Sequence, residues 1–305
     1  MTEPALRGVF APVLTPFGAD LAPDPDRLVA LCRRLLDDGV GLAPFGTTSE
    51  ANSLGVDERM DLLDALIDAG LDAARLMPGT GTCAITDTVR LTAHAVARGC
   101  AGVLMLPPFY YKAVSDDGLY AAFAETIERV GDARLRICLY HIPPVSQVPV
   151  TLALIERLVT AYPDTVVGIK DSSGDWNNTA AVLDAFPQLA VFPGSETFLL
   201  HGLRHGGAGC ISATANVNPA AIRALHDNWQ TPDAAARQAD LDRVRAAFQR
   251  RPMIPALKAM TARLAGDPDW RRVRPPLVEL DRDDELALAA ELEGLGFAAG
   301  ALAAV

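Results

Sequence analysis

The stretch V-V-G-I-K-D-S-S-G occupies residues 166–174, and the interpretation of the whole chain starts from it. The apolar residues in 166–169 are typical of a short strand that is buried on both faces. Lys170 ends this strand, and residues 171–174 predict a turn. A lysine at that place is partly desolvated, which disfavours the ammonium form, and a neutral amine can form a Schiff base with a carbonyl. Taken alone, however, a lysine at a strand end more often reaches out to solvent.

Seven further apolar runs resemble this strand, and they lie at 8–14, 41–44, 75–78, 102–106, 136–140, 189–192 and 209–212. Amphipathic patterns of helical period separate them, at 27–36, 57–69, 86–97, 117–129, 152–161 and 176–186. Strands that alternate with helices indicate βαβ units and a parallel sheet. Eight such strands favour an α/β fold of the closed (β/α)₈ TIM-barrel type over an open doubly wound sheet. No G-x-G-x-x-G motif follows the first strand, which also argues against a dinucleotide-binding sheet.

The chain continues as helices after the eighth strand. Asn218 followed by Pro219 is typical of an N-cap and the first helical position. Helical patterns cover 219–229, 233–250, 254–265 and 283–293. We therefore predict two regions, a barrel at 1–225 and a C-terminal helical extension at 226–305 that packs on the barrel or on a partner subunit.

The composition argues against several classes of protein. The net charge of −11 would repel a phosphate backbone, so no nucleic-acid partner is expected. No apolar stretch is long enough to span a bilayer, and the N-terminus lacks the pattern of a signal peptide, so no membrane association is expected. The five cysteines form no C-x-x-C pair, which indicates reduced thiols in a cytoplasmic protein.

The catalytic residues of a parallel barrel lie at the C-terminal ends of its strands. In this chain those ends carry a lysine, tyrosines, small hydroxyl residues and glycine turns, at 46–50, 79–81, 107–111, 140, 170, 194–196 and 211–216. No cluster of His, Asp or Glu with metal-ligand spacing is found among them, so no metal is predicted.

A lysine at the predicted active-site rim, with no metal site predicted beside it, points to imine chemistry. The iminium form of a 2-oxo acid is an electron sink, so a neighbouring carbon can become an enamine that attacks an aldehyde, or the reverse step can release one. A tyrosine hydroxyl can shuttle the protons, because it both donates and accepts. Backbone N–H groups of the Gly-Thr-Thr turn could anchor the substrate carboxylate. The same turn is equally compatible with a helix cap that binds nothing. For Tyr110 and Tyr111 taken alone, two rings packed under a loop are favoured over a catalytic role.

Five motifs become specific when their order and spacing are considered together. They are Gly46-Thr47-Thr48, Pro108-Phe109-Tyr110-Tyr111, Tyr140-x-x-Pro143, Gly168-Ile169-Lys170 and Gly194. Together they resemble the motif set of the dihydrodipicolinate synthase / N-acetylneuraminate lyase family over about residues 6–225, and more loosely to the end of the chain. Members of that family are pyruvate-dependent class I aldolases and related synthases on a TIM barrel.

The resemblance implies roles for individual residues. Lys170 would be the Schiff-base lysine, and Tyr140 the proton relay. Thr47 and Thr48 would bind the pyruvyl carboxylate, with Thr47 also in the relay. Tyr111 or Tyr110 would complete the relay, often across a subunit contact, and the assembly would be a homotetramer. Other residues expected to bind substrate are Gly46, Ser172, Gly194, Glu196 and Ile211. No cofactor is expected beyond the covalent imine of pyruvate on Lys170.

Three departures from the family pattern bear on the substrate. Synthases carry an arginine shortly after the strand-five tyrosine, where it holds the carboxylate of aspartate semialdehyde, and Val145 stands at that position here. Ser49 replaces the usual glycine of the G-T-T-G-E turn, which would strain the backbone if that position required a positive φ. Val56 and Arg59 stand where lysine-inhibited synthases have regulatory histidines, so feedback by lysine is not expected.

Three functions therefore remain open. The first is a pyruvate-dependent aldolase or lyase that acts on a 2-keto-3-deoxy acid or a related 2-oxo acid. The second is 4-hydroxy-tetrahydrodipicolinate (dihydrodipicolinate) synthase, and the third is a barrel that binds a 2-oxo acid without turnover. Val145 favours the first over the second, unless an arginine from a distant part of the chain or from a neighbouring subunit enters the site. Pyridoxal phosphate on Lys170 is not favoured, because only Gly206-Gly207 resembles an anion-binding loop.

Overall fold

A computed structural model describes residues 6–297, which form an α/β barrel. The strands are β1 (Gly8–Ala11), β2 (Gly41–Leu42), β3 (Val103–Met105), β4 (Ile137–His141), β5 (Val166–Asp171), β6 (Ala190–Pro193) and β7 (Gly209–Ile211). All pairs are parallel, in the order β2-β1-β7 and β3-β4-β5-β6. The predicted TIM barrel is thereby confirmed.

The predicted third strand, at 75–78, is present as isolated bridges to both neighbours, namely Leu42–Leu76 and Gly79–Leu104. Pro78 has no backbone N–H to donate, which limits the ladder that this segment can form. On the far side, Ala208 N donates to Val191 O at 2.9 Å and joins β6 to the start of β7. The two sheets thus close into one barrel of eight strand segments, namely β1–β7 and the segment at 75–78.

The helices are α1 (Pro25–Asp37), α2 (Val56–Asp68), α3 (Ile85–Ala97), α4 (Asp116–Val130), α5 (Pro143–Ser146), α6 (Leu152–Ala161), α7 (Trp176–Ala185), α8 (Leu199–Arg204), α9 (Pro219–Asp227), α10 (Ala234–Gln249), α11 (Met253–Ala265) and α12 (Arg282–Gly294). Several begin at a polar cap. Asp175, for example, accepts a hydrogen bond from Asn177 N at the start of α7. The amphipathic patterns in the sequence therefore fall on real helices.

The predicted C-terminal helical extension is present as α10, α11 and α12. The proposed boundary at residue 225 falls inside α9, and the division of the chain into two regions stays a prediction. Residues 1–5 and 298–305, which that division also assigns, lie outside the described residues. Within 6–297, no helix is both long and apolar enough to cross a membrane.

The interior of the barrel is filled by side chains from the strands. The rings of Phe10 and Phe192 meet edge to face at 5.7 Å, and Met77, Leu104 and Cys138 are buried in the same cluster. Burial raises the pKa of the Cys138 thiol to about 12, so this cysteine is not a nucleophile at neutral pH. The packed interior forms a floor, above which a site can open at the C-terminal ends of the strands.

Candidate active site

A cleft with a volume of about 400 Å³ opens at the C-terminal ends of the strands. Seven of the side chains and glycines predicted from the sequence line it, namely Thr47, Thr48, Tyr140, Lys170, Ser172, Gly194 and Ile211. They come from the segment after β2 and from the ends of β4, β5, β6 and β7. The fold therefore brings together residues that are far apart in the sequence.

Lys170 lies near the end of β5 and is only 4% exposed. Its neighbours across the ladder are Tyr140 on β4 and Phe192 on β6. The Nζ atom lies 4.3 Å from the centroid of the Tyr140 ring. Within the described part of the chain, Nζ makes no hydrogen bond or ion pair, so its nitrogen is not committed to a structural contact.

Tyr140 is buried at 3% exposure, and its hydroxyl lies 3.1 Å from Thr47 Oγ1. The turn that carries Thr47 is held by its own backbone, because Glu50 N donates to Thr47 O at 3.1 Å and Ser49 N donates to Gly46 O at the same distance. Gly46 is buried beneath the turn and does not line the cleft. Two hydroxyl groups that can exchange a proton thus lie beside the amine of Lys170.

Ser49 does not strain the turn as the sequence suggested. The positive φ angles fall on its neighbours Phe45 (62°) and Glu50 (57°), whereas Ser49 is not among the residues with positive φ. Its hydroxyl accepts a hydrogen bond from Gly46 N at 3.3 Å, and its carbonyl accepts one from Thr15 Oγ1 at 2.7 Å. The serine therefore stabilises the turn, and the condition under which strain was expected, a positive φ at position 49, is not met.

The same turn is attached to the C-terminal extension by a buried ion pair. Glu50 contacts Lys258 of α11, and both side chains are fully buried. Burial lowers the pKa of Lys258 to about 8, although Glu50 opposes that shift. Glu50 Oε2 also accepts a hydrogen bond from Arg274 N at 2.9 Å. The extension is thus attached, through Glu50, to the turn that carries Thr47 and Thr48.

A tight approach between two loops shapes the other side of the cleft. Ser172 follows β5 and Gly194 follows β6, and any Cβ at Gly194 would clash with the Ser172 side chain. The carboxylate of Asp171 holds the first loop, because it accepts hydrogen bonds from Thr179 Oγ1 at 2.6 Å and Asn178 Nδ2 at 3.0 Å. Gly194 is therefore needed for space, and its predicted role in substrate binding stays a prediction.

The family model of the dihydrodipicolinate synthetase family matches residues 5–295. The chain belongs to this family. It is therefore an enzyme, a lyase of the class I aldolase type, and the hypothesis of a barrel without turnover is not retained.

Similar proteins and a similar solved structure support that assignment. An uncharacterized DapA-like lyase of Chloroflexus aurantiacus is 37% identical over 296 residues, which cover 96% of this chain and 97% of the relative. The 4-hydroxy-tetrahydrodipicolinate synthase of Kineococcus radiotolerans is 33% identical over 95% of this chain and 93% of its own. The crystal structure of dihydrodipicolinate synthase from Agrobacterium tumefaciens superposes with a TM-score of 0.88 at 34% identity, over 95% of this chain and 99% of that one.

Tyr110 and Tyr111 do not reach the cleft of their own chain. They lie in the loop after β3, each 73% exposed, with their rings edge to face at 5.3 Å. Lys112 anchors the loop, since its Nζ donates to Ser146 O at 2.7 Å. The alternative of two aromatics packed under a loop is wrong, because both rings face solvent in the single chain.

Glu196 does not line the cleft either. It is 1% exposed, and its carboxylate accepts hydrogen bonds from the hydroxyls of Ser212 and Thr214. Its predicted contact with substrate is thus replaced by contacts within the protein. The same carboxylate lies 3.4 Å from Nη1 of Arg245, which the sequence analysis did not identify.

Arg245 belongs to α10, and it lines the cleft together with Val145, Gln249 and Met253. It is the distant arginine that the sequence analysis allowed as an exception. The position of Val145 carries no cation, but Arg245 brings one into the cleft from a distant part of the chain. The i, i+4 spacing of Arg245 and Gln249 on a helix could have suggested a shared face.

Within residues 6–297, no group of three or more His, Cys, Asp or Glu side chains is placed to hold a metal ion. His141, which follows Tyr140, is buried, and its Nδ1 accepts a hydrogen bond from Val150 N at 2.9 Å. Burial lowers the pKa of His141, so the ring is neutral and stabilises the loop after β4.

Proposed function

We propose that this lyase is a pyruvate-dependent class I aldolase that binds its 2-oxo acid as an imine on Lys170. The observation that carries the proposal is the position of the Lys170 amine, which is buried at the end of β5 and lies 4.3 Å from the centroid of the Tyr140 ring. Among residues 6–297 it has no hydrogen-bond or ion-pair partner. The substrate class is a 2-keto-3-deoxy acid or a related 2-oxo acid, which is cleaved to pyruvate and an aldehyde or formed from them.

The chemistry assigned to each residue follows from its place. Lys170 Nζ attacks the keto carbon of pyruvate, and the carbonyl oxygen leaves as water. The Tyr140 hydroxyl, in contact with Thr47, delivers and removes the protons of these steps. Loss of a methyl proton from the iminium gives an enamine, whose carbon attacks the aldehyde carbon, and hydrolysis then restores the amine. The turn at Thr47 and Thr48 holds the carboxylate, and this route needs no cofactor.

The second candidate is 4-hydroxy-tetrahydrodipicolinate synthase. Arg245 favours it, because a cation in the cleft can bind a second carboxylate. The synthases among the similar proteins also favour this candidate. Val145 argues against it, since the side chain at that position has no hydrogen-bond donor.

A side-by-side assay separates the two. Synthase turnover with pyruvate and aspartate semialdehyde is compared with pyruvate release from a panel of 2-keto-3-deoxy sugar acids and N-acetylneuraminate. We expect the highest kcat/KM for a 2-keto-3-deoxy acid. A kcat/KM for aspartate semialdehyde far above every member of the panel would make the synthase the correct function.

We also propose a homotetramer in which Tyr111 enters the site of a neighbouring subunit. The exposure of two adjacent tyrosines on an anchored loop supports this assembly. Mixing Lys170→Ala subunits with Tyr111→Phe subunits tests it. Restored activity is expected, because the Tyr111→Phe subunit keeps Lys170 and receives an intact Tyr111 from its partner. Activity that never exceeds that of the Tyr111→Phe enzyme would show that the tyrosine acts within its own chain.

A cytoplasmic location is proposed on the state of the cysteines. All five are free thiols, and Cys32, Cys138 and Cys210 are buried. Proteins of oxidising compartments usually pair their cysteines. Cell fractionation checks this proposal, and recovery of the enzyme outside the cytoplasm would contradict it.

A further inference from the structure

The C-terminal extension contributes a cation to the cleft, and the function of that cation is not explained by the imine chemistry. Arg245 lies on α10, and only 11% of its side chain is exposed. Gln249, one turn further along the same helix, lines the same cleft. Neither residue is part of the motifs that carry Lys170, Tyr140 and Thr47.

The protein contacts of Arg245 use only part of its guanidinium. Nη1 lies 3.4 Å from Glu196 Oε2 and 3.3 Å from Ser212 Oγ. Nε is buried without a hydrogen-bond partner. Among the described residues Nη2 has no partner either. An arginine has five N–H donors, and leaving a buried donor without an acceptor is unfavourable.

The neighbours of Arg245 do not supply the missing acceptors. Glu196 already receives the hydroxyls of Ser212 and Thr214, so its carboxylate is shared among three donors. The pair with Arg245 is long for a hydrogen-bonded ion pair. Glu196 therefore orients the guanidinium, and Nη2 is the donor that remains available to a ligand in the cleft, since Nε is buried.

We propose that Arg245 determines specificity by binding a terminal carboxylate at the end of the substrate that is remote from the imine. The inference rests on the proposed function, because Lys170 must hold the 2-oxo group at the other end. Within the 2-oxo acids of the proposed function, it narrows the substrate to those that carry a second carboxylate at the end of the chain remote from the 2-oxo group. In this enzyme the cation comes from α10 and not from the position of Val145.

The test uses 2-oxo acids that differ only in the far group. 2-Oxoadipate carries a terminal carboxylate, and 2-oxohexanoate of the same length carries a methyl group. Each is titrated against the full-length enzyme, and the imine on Lys170 is trapped with borohydride and quantified by mass spectrometry. We expect half-maximal trapping of 2-oxoadipate at a concentration on the order of 10–100-fold lower than that of 2-oxohexanoate.

Three variants make the result specific. Arg245→Met should remove the preference for 2-oxoadipate over 2-oxohexanoate, whereas Arg245→Lys should keep part of it. Arg243→Met is the matched control, because Arg243 lies on the same helix, is 62% exposed and pairs with Asp240. That variant should behave like the wild type.

The two ways of failing are distinguishable. If pyruvate is trapped on Lys170 but 2-oxoadipate is not preferred, or if Arg245→Met weakens both 2-oxo acids equally, the role of Arg245 is wrong and the proposed function stands. If pyruvate itself does not label Lys170, the proposed function fails and this inference fails with it.

Discussion

The hydroxyl of Tyr140 and the hydroxyl of Thr47 lie 3.1 Å apart, although 93 positions separate the two residues in the sequence. One comes from the end of β4 and the other from the turn after β2. Tyr140 is buried and Thr47 is half-buried, and together their hydroxyls form a short path for a proton beside Lys170.

The first prediction concerns the phenol. Tyr140→Phe should lower kcat by about 10²–10⁴-fold, because a general acid–base group contributes about that much. Trapping of pyruvate on Lys170 should remain measurable, since the nucleophile is intact. Tyr162→Phe is the control, because its hydroxyl donates to Glu128 on the outside of the barrel. An unchanged kcat in Tyr140→Phe would show that the phenol only packs.

The second prediction concerns the contact between the two hydroxyls. Thr47→Val should slow turnover, and the double variant with Tyr140→Phe should lose much less than the sum of the two single losses. Residues in one hydrogen-bond network couple by roughly 0.5–3 kcal/mol. Steady-state kinetics of the four enzymes measure this coupling. Additive losses would mean that Thr47 and Tyr140 act independently.

The third prediction concerns Val145, which is 60% exposed at the rim of the cleft. Val145→Arg should raise kcat/KM for aspartate semialdehyde by on the order of 10-fold or more, because a charge-assisted hydrogen bond is worth about 1.5–3 kcal/mol. Leu152→Arg is the control, since Leu152 is exposed at the start of α6 and lies outside the cleft. A decrease with Val145→Arg alone would show that this position has been misread.

The fourth prediction concerns the stability of the extension. Glu285 of α12 is 1% exposed and accepts hydrogen bonds from Arg271, Arg263 and Arg282. The hydrogen bond from Arg271 is the main reason why its pKa is lowered to about 2. A carboxyl whose pKa is lower in the folded state stabilises the fold above its unfolded pKa, and that contribution is lost as the pH falls.

Glu285→Gln should therefore lower the free energy of unfolding at neutral pH by on the order of 3 kcal/mol. The difference from wild type should shrink between about pH 4.5 and pH 2. Asp283→Asn, an exposed change in the same helical turn, is the control. Denaturant unfolding at several pH values measures the free energy of unfolding of the wild type and of both variants. A difference in unfolding free energy between Glu285→Gln and wild type that does not change with pH would contradict the ionisation of Glu285.

The same unfolding curves bear on the predicted division of the chain. Two separate unfolding transitions would support it.

The sequence was sufficient for the barrel and for most of the site because both depend on local patterns. The apolar strands alternate with amphipathic helices. Lys170 and Tyr140 lie at the C-terminal ends of strands, and Thr47 lies in the turn that follows one. A parallel barrel brings such strand ends to one rim, so their convergence could be predicted before any coordinates.

Arg245 could not be predicted in the same way, because its position depends on how α10 packs over the rim of the barrel. The packing of one helix against other elements cannot be predicted from a short sequence motif. The environment of Ser49 was misjudged for a similar reason. The sequence shows a serine in place of glycine, but only the fold shows that the positive φ falls on Phe45 and Glu50. Tyr110 and Tyr111 are exposed in the single chain, and one barrel by itself does not test the proposed contact with a neighbouring subunit.

The central claim is that Lys170 forms an imine with pyruvate. The most direct test is to incubate the enzyme with pyruvate and borohydride and to map the mass increase by peptide mass spectrometry. Lys258, the other buried lysine, serves as an internal control, because it is paired with Glu50 and lies outside the cleft. We predict a single reduced adduct on the peptide that carries Lys170, absent from folded Lys170→Ala and Lys170→Arg variants, since a guanidinium remains protonated. Labelling at another lysine, or no labelling of the folded enzyme, would contradict the account.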